Sequence, residues 1–484
     1  MLAEIPCVVR LRKKNIMRYT RKSILIILTL FGSLGILSGC GLRDTSQGTP
    51  YSMPLEVWNV FDDSDVYTML FQQYRGANPY IGNISYRKFS EETYKKELLN
   101  ALAAGNGPDI FAIRNSWVNE FQDKIVPAPD YQLSEKDVRD NFVDVVAYDF
   151  INPSDKKVYG LPLSVDSLAL YYNRDIFNAA GITAPPKTWQ ELLIVAPKLT
   201  QIDRFGNILQ SALSFGTADN INRAPAILFG LMFAIGAEID DERGQISFFR
   251  TEAAQKAFEY YMLFSNVRSS EYTWNPNMHY SIDAFYEGRL AMMVNYSWRY
   301  ETLRQKNAKL NMAIAPFPQF EGMAPQNYAD YWTFVVAKNH EISVEDPTVQ
   351  KRLPTDKGVR DELRKHEAWQ LLTYMTMPHS GGQITLRNGL TGNPAVFPLA
   401  FDPAEKYLEQ THKPAARRDL IEKQRSDPVL SPFAVANLNA KNFRQMDADA
   451  IEKVMNDMIR DVNRGEISLK EALYVAQQRI NTLR

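Results

Sequence analysis

Leu55-Glu-Val-Trp-Asn-Val60, Ile84-Ser-Tyr-Arg-Lys-Phe89 and Pro108-Asp-Ile-Phe-Ala-Ile113 are three strand-like runs, and the two intervals between them both read as helices. The first interval opens with Asp62-Asp63-Ser64-Asp65, places Val66, Met69 and Leu70 at helical spacing, and stops at Gly76 and Pro79. In the second, Ser90-Glu-Glu supplies a cap with an acidic first turn. Tyr94, Leu98, Ala101 and Leu102 form its buried stripe and Gly105 ends it. A β-α-β-α-β order requires right-handed crossovers and predicts a doubly wound, parallel sheet. Ligands on such sheets lie at the carboxyl ends of strands, which makes the loops Trp58–Asp62 and Arg114–Ser116 candidate ligand contacts.

Upstream of this unit, residues 1–39 hold seven basic groups and one acid, followed from Ser23 to Leu37 by the only long apolar run in the chain. Basic segment, short apolar segment and small residues before a cleavage point are the parts of an export signal. The run is shorter than the ~20 residues of a stable membrane span. Leu37-Ser-Gly-Cys40 resembles the bacterial lipobox, in which the signal is cut before the cysteine and that cysteine is diacylated. Residues 1–39 are therefore expected to be removed, with 1–16 an over-extended start before Met17. Cys40 would carry the lipid, and 40–53 would be a flexible, polar tether.

The 484 residues carry 55 Lys and Arg against 56 Asp and Glu. Without the basic leader the balance is 48 against 55, so the body is acidic and has no electrostatic footprint for nucleic acid. Of the two cysteines, Cys7 lies in the leader and Cys40 at the lipobox, so no disulfide is expected in the body. The five histidines are scattered, and there is no His-Glu-x-x-His, Gly-x-Ser-x-Gly or Gly-x-x-x-x-Gly-Lys pattern. No metal, cofactor or catalytic residue is expected. Two acids converging from distant positions, as a glycosidase uses, remain open to a sequence reading.

Four further stretches run in a consistent order. They are Ala101-Leu-Ala-Ala-Gly105 with Gly107-Pro-Asp-Ile-Phe111; Val158-Tyr-Gly-Leu-Pro-Leu163 through Leu170-Tyr-Tyr-Asn-Arg-Asp-Ile-Phe177, Ala180-Gly-Ile182 and Pro186-Lys-Thr-Trp-Gln-Glu191; Ala284-Phe-Tyr-Glu-Gly-Arg-Leu-Ala-Met292 with Ala313-Ile-Ala-Pro-Phe-Pro318; and Gly465-Glu-Ile-Ser-Leu-Lys-Glu-Ala-Leu473. Together they resemble the extracellular solute-binding proteins of bacterial ABC importers, the family that includes maltose- and other sugar-binding lipoproteins. The second stretch is the most specific. Glu341–Lys365, highly charged and carrying Pro347 and Pro354, departs from the family pattern and reads as a surface excursion.

The resemblance implies a two-lobed, periplasmic-binding-protein-like (type II) α/β fold, each lobe a mainly parallel sheet flanked by helices, joined by a hinge. Its implied division is 54–164 and 319–392 for the first lobe, with an insertion at 341–365, and 165–318 and 393–484 for the second, the chain crossing near Ser164–Ser167, Phe317–Gly322 and Gly392. The implied function is capture of a polar solute, most simply a sugar or oligosaccharide, and delivery to the transmembrane subunits of an ABC permease. The protein would be a monomer, lipid-anchored to the outer face of the cell membrane. A secreted carbohydrate-active enzyme and a solute-sensing lipoprotein are the alternatives.

Sugar sites combine aromatic platforms with planar polar side chains. The candidate ligand contacts are Trp58, Asn59 and Asp62 at the first strand end, Arg114 and Ser116 at the third, and Asp166 at the expected first crossing. Asn295, Tyr296 and Trp298 follow the Leu290–Val294 strand, Tyr331 and Trp332 open a later strand, and Arg387 and Asn388 lie in a glycine-rich loop. Trp189, inside a capping box, reads as a packing residue.

Overall fold

The computed structural model describes residues 51–241, 244–338 and 350–483. The leader, Cys40, most of the tether and residues 341–349 of the charged segment lie outside them. In chain order the strands are β1 (Met53–Asn59), β2 (Ile81–Lys88), β3 (Ile110–Arg114), β4 (Ile125–Val126), β5 (Ala169–Asn173), β6 (Gln201–Ile202), β7 (Ile208–Leu213), β8 (Leu290–Asn295), β9 (Met312–Pro316), β10 (Asn327–Tyr328), β11 (Trp332–Ala337), β12 (Gln383–Arg387), β13 (Pro394–Pro398) and β14 (Ala440–Lys441). Two five-stranded sheets organise the molecule, β2-β1-β3-β11-β4 and β6-β7-β8-β5-β9.

The expected opening unit is present: β1 runs parallel to both β2 and β3, with helices Ser64–Ala77 and Glu91–Ala104 between them. Gly105 closes the second helix at φ +76°, a left-handed conformation that glycine adopts without a Cβ clash. Neither sheet is purely parallel, however. β11 is antiparallel to β3 and β4, and β5 is antiparallel to β8 and β9. The cause is connectivity. β1, β3 and β8 end at the junction between the lobes, whereas β5 and β11 each begin just after the chain has crossed that junction, so they must run outward.

Each sheet has its own hydrophobic core. The first is built from residues between Tyr51 and Val165 and between Ala329 and Ala448, the second from residues between Leu168 and Tyr328 and between Phe433 and Ile480. Two lobe boundaries therefore differ from the sequence expectation. Residues 319–328 stay with the second lobe, because Gln319 exchanges backbone hydrogen bonds with Lys187 and Trp189 and Phe320 packs on Trp189 and Tyr260. Residues 393 to about 432 belong to the first lobe. Gly392, at φ +72°, serves the turn of the β12–β13 hairpin rather than a crossing, and helix Pro403–Thr411 packs on helix Ser64–Ala77.

The three crossings lie side by side. Ser167 bridges Ala329, β10 pairs with β14, and the backbone N–H of Ala329 donates to the Lys441 carbonyl. Asn327 adds a two-way clasp on Leu168, accepting from its N–H and donating to its carbonyl.

The described end of the charged segment is not an excursion. Lys357 opens a helix running to Thr376, capped by Asp356, in which Arg364 is fully buried. The Arg364 guanidinium donates to the carbonyl of Ala337 at 3.0 Å and to Asp361 at 2.9 Å, and lies 3.6 Å from Asp109, whose other oxygen accepts from the Glu56 N–H. It thus joins β1, β3 and β11 through one charge. Removing one member of a buried ionic network leaves the rest uncompensated. Arg364→Ala is expected to lower unfolding free energy by about 3–5 kcal/mol in urea titration; a loss below about 1 kcal/mol would mean that the network contributes nothing net.

Candidate functional site

A cleft of about 180 Å³ opens where β1, β3 and β8 end and β11 begins. The first lobe contributes Asn59, Phe61, Asp62, Glu91, Arg114, Tyr331 and Trp332, the second Arg223, Ser297 and Trp298, and the crossings Ser164, Asp166 and Asp330. Position follows from strand direction: the loop after each parallel strand is delivered to the same edge.

Aromatic surface faces the cleft from both lobes. Trp298 is 40% exposed and Phe61 43%, unusual values in a chain whose Trp189, Trp274 and Trp369 are fully buried. Phe61 meets Trp332 edge to face at 5.3 Å, and Trp332 in turn meets Trp117 at 5.2 Å, so this wall is a continuous aromatic cluster.

Most of the charge in the cleft is paired. Asp330 receives two bonds from Arg114, at 2.7 and 3.3 Å, and lies 3.8 Å from Arg223. Burial would raise the Asp330 carboxyl, but Arg114 and Arg223 outweigh it and hold the group below the usual carboxylate range. Asp62 accepts from Lys413 at 2.5 Å, Tyr407 at 2.8 Å and Tyr67 at 3.2 Å. Asp166 forms no ion pair among the described residues. Its oxygens accept from the N–H and hydroxyl of Ser297, at 2.9 and 2.7 Å, and from the Ser167 N–H at 2.9 Å. Burial pushes it up to about 7 despite these bonds.

The structure brings Asn59, Asp62, Arg114, Asp166, Trp298, Tyr331 and Trp332 to the cleft. The remaining candidates lie elsewhere. Trp58 points into the first core, tilted against Phe89 at 4.4 Å with its ring N–H on Glu56, because alternation along β1 turns it away. Asn295 and Tyr296 are buried. The Asn295 side chain accepts from the Tyr296 N–H and donates to Asn222, which shapes the loop that presents Trp298. Ser116 lines a smaller adjoining cavity with Arg114, Arg223 and Asp330. Arg387 and Asn388 sit at the β12–β13 turn, away from the cleft; Asn388 caps Leu390 and Thr391.

Phe61, Ser297 and Asp330 adjoin candidate residues in sequence and were within reach of the loop argument. Glu91, Arg223, Tyr407 and Lys413 carry no local signal, since only packing brings them in. A second cavity of about 230 Å³ is lined by Asn115, Tyr148, Asp149 and Asn442 among others. Its acid, Asp149, is already bonded to Tyr331, Asn115 and Asn442. Among the described residues, no group of three or more His, Cys, Asp or Glu could hold a metal, and no helix is long and apolar enough to cross a membrane.

Two sheets with separate cores, three crossings and a cleft at the strand ends define the two-lobed type II periplasmic-binding-protein class. The chain belongs to the bacterial extracellular solute-binding protein family, whose sequence model it matches over residues 80–378. It is similar to a binding protein of Brucella abortus (strain 2308), 22% identical over 249 residues that make up 51% of this chain and 57% of the relative. It is also similar to the maltotriose-binding protein of Pyrococcus abyssi, 26% identical over 269 residues, 54% of this chain and 53% of the relative. The chain thus spans little more than half the length of these curated relatives. Among solved structures, the sugar-binding protein MalE from Xanthomonas citri shares the fold with a TM-score of 0.66 at 18% identity, covering 89% of this chain and 97% of that one.

The raised Asp166 has a consequence for stability. A carboxyl that ionises near 4 when unfolded and near 7 when folded binds more protons in the native state between those values. Its contribution is fully present below about pH 4 and is lost as pH rises through about 7. Asp166→Asn imitates the protonated acid: its carbonyl accepts the Ser297 and Ser167 N–H groups and its amide donates to the Ser297 hydroxyl. Thermal unfolding from pH 5 to 8 is expected to show a shallower decline for this variant than for the unmodified protein; parallel curves would contradict the assignment.

Proposed function

We propose that this protein is the substrate-binding component of an ABC importer, that it captures a carbohydrate in the cleft by hinge closure, and that it delivers it to the permease. The observation that carries this reading is that aromatic side chains from both lobes line the cleft, the exposed Trp298 from one and Phe61 with Trp332 from the other. Sugar rings present C–H faces that stack on such surfaces and hydroxyls that bond to fixed polar groups. Asn59, Asp62, Arg114, Ser297 and Asp330 supply those groups. Family membership and the likeness to a maltotriose-binding relative support the same class of ligand.

Transport rather than turnover is favoured by the state of the acids. Asp62 and Asp330 are held in ion pairs and Asp166 is enclosed by hydrogen bonds, so these three are poorly placed to act as a glycosidase acid and base. Affinity in the micromolar range requires only about −8 kcal/mol net, which lets lobe opening release the ligand. The proposal includes export by the N-terminal signal, removal of residues 1–39, diacylation at Cys40, a monomeric tethered body outside the membrane, and no cofactor.

A thermal-shift screen of neutral and acidic oligosaccharides is expected to find a ligand that raises the melting temperature by mass action. Trp298→Ala should weaken its binding about tenfold or more with little change in the unliganded melting temperature. Unchanged affinity would exclude Trp298 from the site, and product formation during the incubation would favour the enzyme. Expressed in a bacterial host fed a labelled fatty acid, the protein should incorporate the label and Cys40→Ala should not; an unlabelled parent protein would reject the lipid anchor.

A further inference from the structure

Beside the cleft, two cations lack a close carboxylate partner among the described residues. Two guanidinium groups lie against the exposed indole of Trp298, Arg299 at 4.2 Å and Arg223 at 5.5 Å from the ring centre. The Nε of each is buried without a hydrogen-bond partner. Arg299 forms no ion pair among the described residues, and the nearest carboxylate to Arg223 is Asp330 at 3.8 Å, which Arg114 already engages at 2.7 Å. Of the other acids lining the cleft, Asp62 is committed to Lys413 and Asp166 to Ser297, while Glu91 lies on the first-lobe wall. Burial lowers Arg299, and its neighbour Arg223 lowers it further, so the two cations repel each other.

The backbone holds this arrangement at a cost. Arg223 sits at φ +66°, an uncommon conformation for a residue other than glycine, at the start of the apolar helix Ala224–Ala234. Two partly desolvated guanidinium groups with open donors beside an aromatic platform suit a ligand that is both a ring and an anion. The ionised carboxylate of Asp330 nearby disfavours a doubly charged phosphate more than a singly charged group.

We propose that the captured saccharide is acidic, with a uronic-acid carboxylate bound by Arg223 and Arg299 and its ring against the exposed part of Trp298. This rests on the carbohydrate reading of the cleft and narrows it.

Calorimetric titration of the purified protein with uronic-acid trisaccharides (galacturonate, mannuronate and guluronate), with maltotriose and with glucose 6-phosphate tests it. At least one uronate is expected to bind about tenfold or more tighter than maltotriose, less tightly as salt is raised. Arg299→Gln and Arg223→Asn, the latter chosen because asparagine tolerates positive φ, should each weaken that binding about tenfold or more. Arg299→Lys, which keeps the charge but not the planar fork, should lose less and serves if Arg299→Gln fails to fold. Maltotriose binding as tightly as every uronate would overturn the acidic-ligand inference and leave the carbohydrate reading standing. Preference for glucose 6-phosphate would overturn the carboxylate, and failure of every saccharide would overturn both readings.

Discussion

The three crossing segments, hydrogen-bonded side by side at Ser167, Ala329 and Lys441, are the constraint on which the rest of the molecule depends. They fix where each lobe begins and ends and force β5 and β11 to run against their neighbours. They also set the edge at which β1, β3 and β8 deliver their loops. Asp330, beside Ala329, adds an electrostatic joint. It binds Arg114 of the first lobe closely and Arg223 of the second at longer range. A single carboxylate therefore lies against both walls of the cleft.

Around that joint the cleft separates its two kinds of recognition. The wall of Phe61, Trp332 and Trp117 is held edge to face, while most of the charged groups in the cleft are paired with one another. Such preorganisation limits what a ligand must spend on ordering the site. Trp298 is different, because its neighbours are cations with unsatisfied donors. On the proposed reading, selectivity is concentrated on that side.

Much of this was legible in the chain. The alternation of Leu55–Val60, the caps at Ser90 and Thr188 and the glycine at 105 are local signals, and the elements they imply form as read. Thr188 does accept from the Glu191 N–H, and Trp189 is fully buried behind it. Strand-end loops drew attention to Asn59, Asp62, Arg114 and Trp298, all of which line the cleft. Strand direction in β5 and β11 was not legible, since it depends on which lobe the chain has just left. Gly392 misled because a glycine-rich loop serves a hairpin as readily as a crossing. The ionic partners Arg223 and Lys413 come from far along the chain, and nothing in their local sequence announces where they fold.

The interleaving of the lobes also sets an order of events as the chain is made. β3 lies in the middle of the first sheet, between β1 and β11, yet β11 begins at Trp332, more than two hundred residues later. Until that stretch arrives, a nascent first lobe exposes an open strand edge with Ile110, Phe111 and Ile113 beside it, the kind of edge that recruits other chains. Long-range pairing of this sort is slow to form. The first sheet is consequently completed late, only once the chain has been made beyond Ala337.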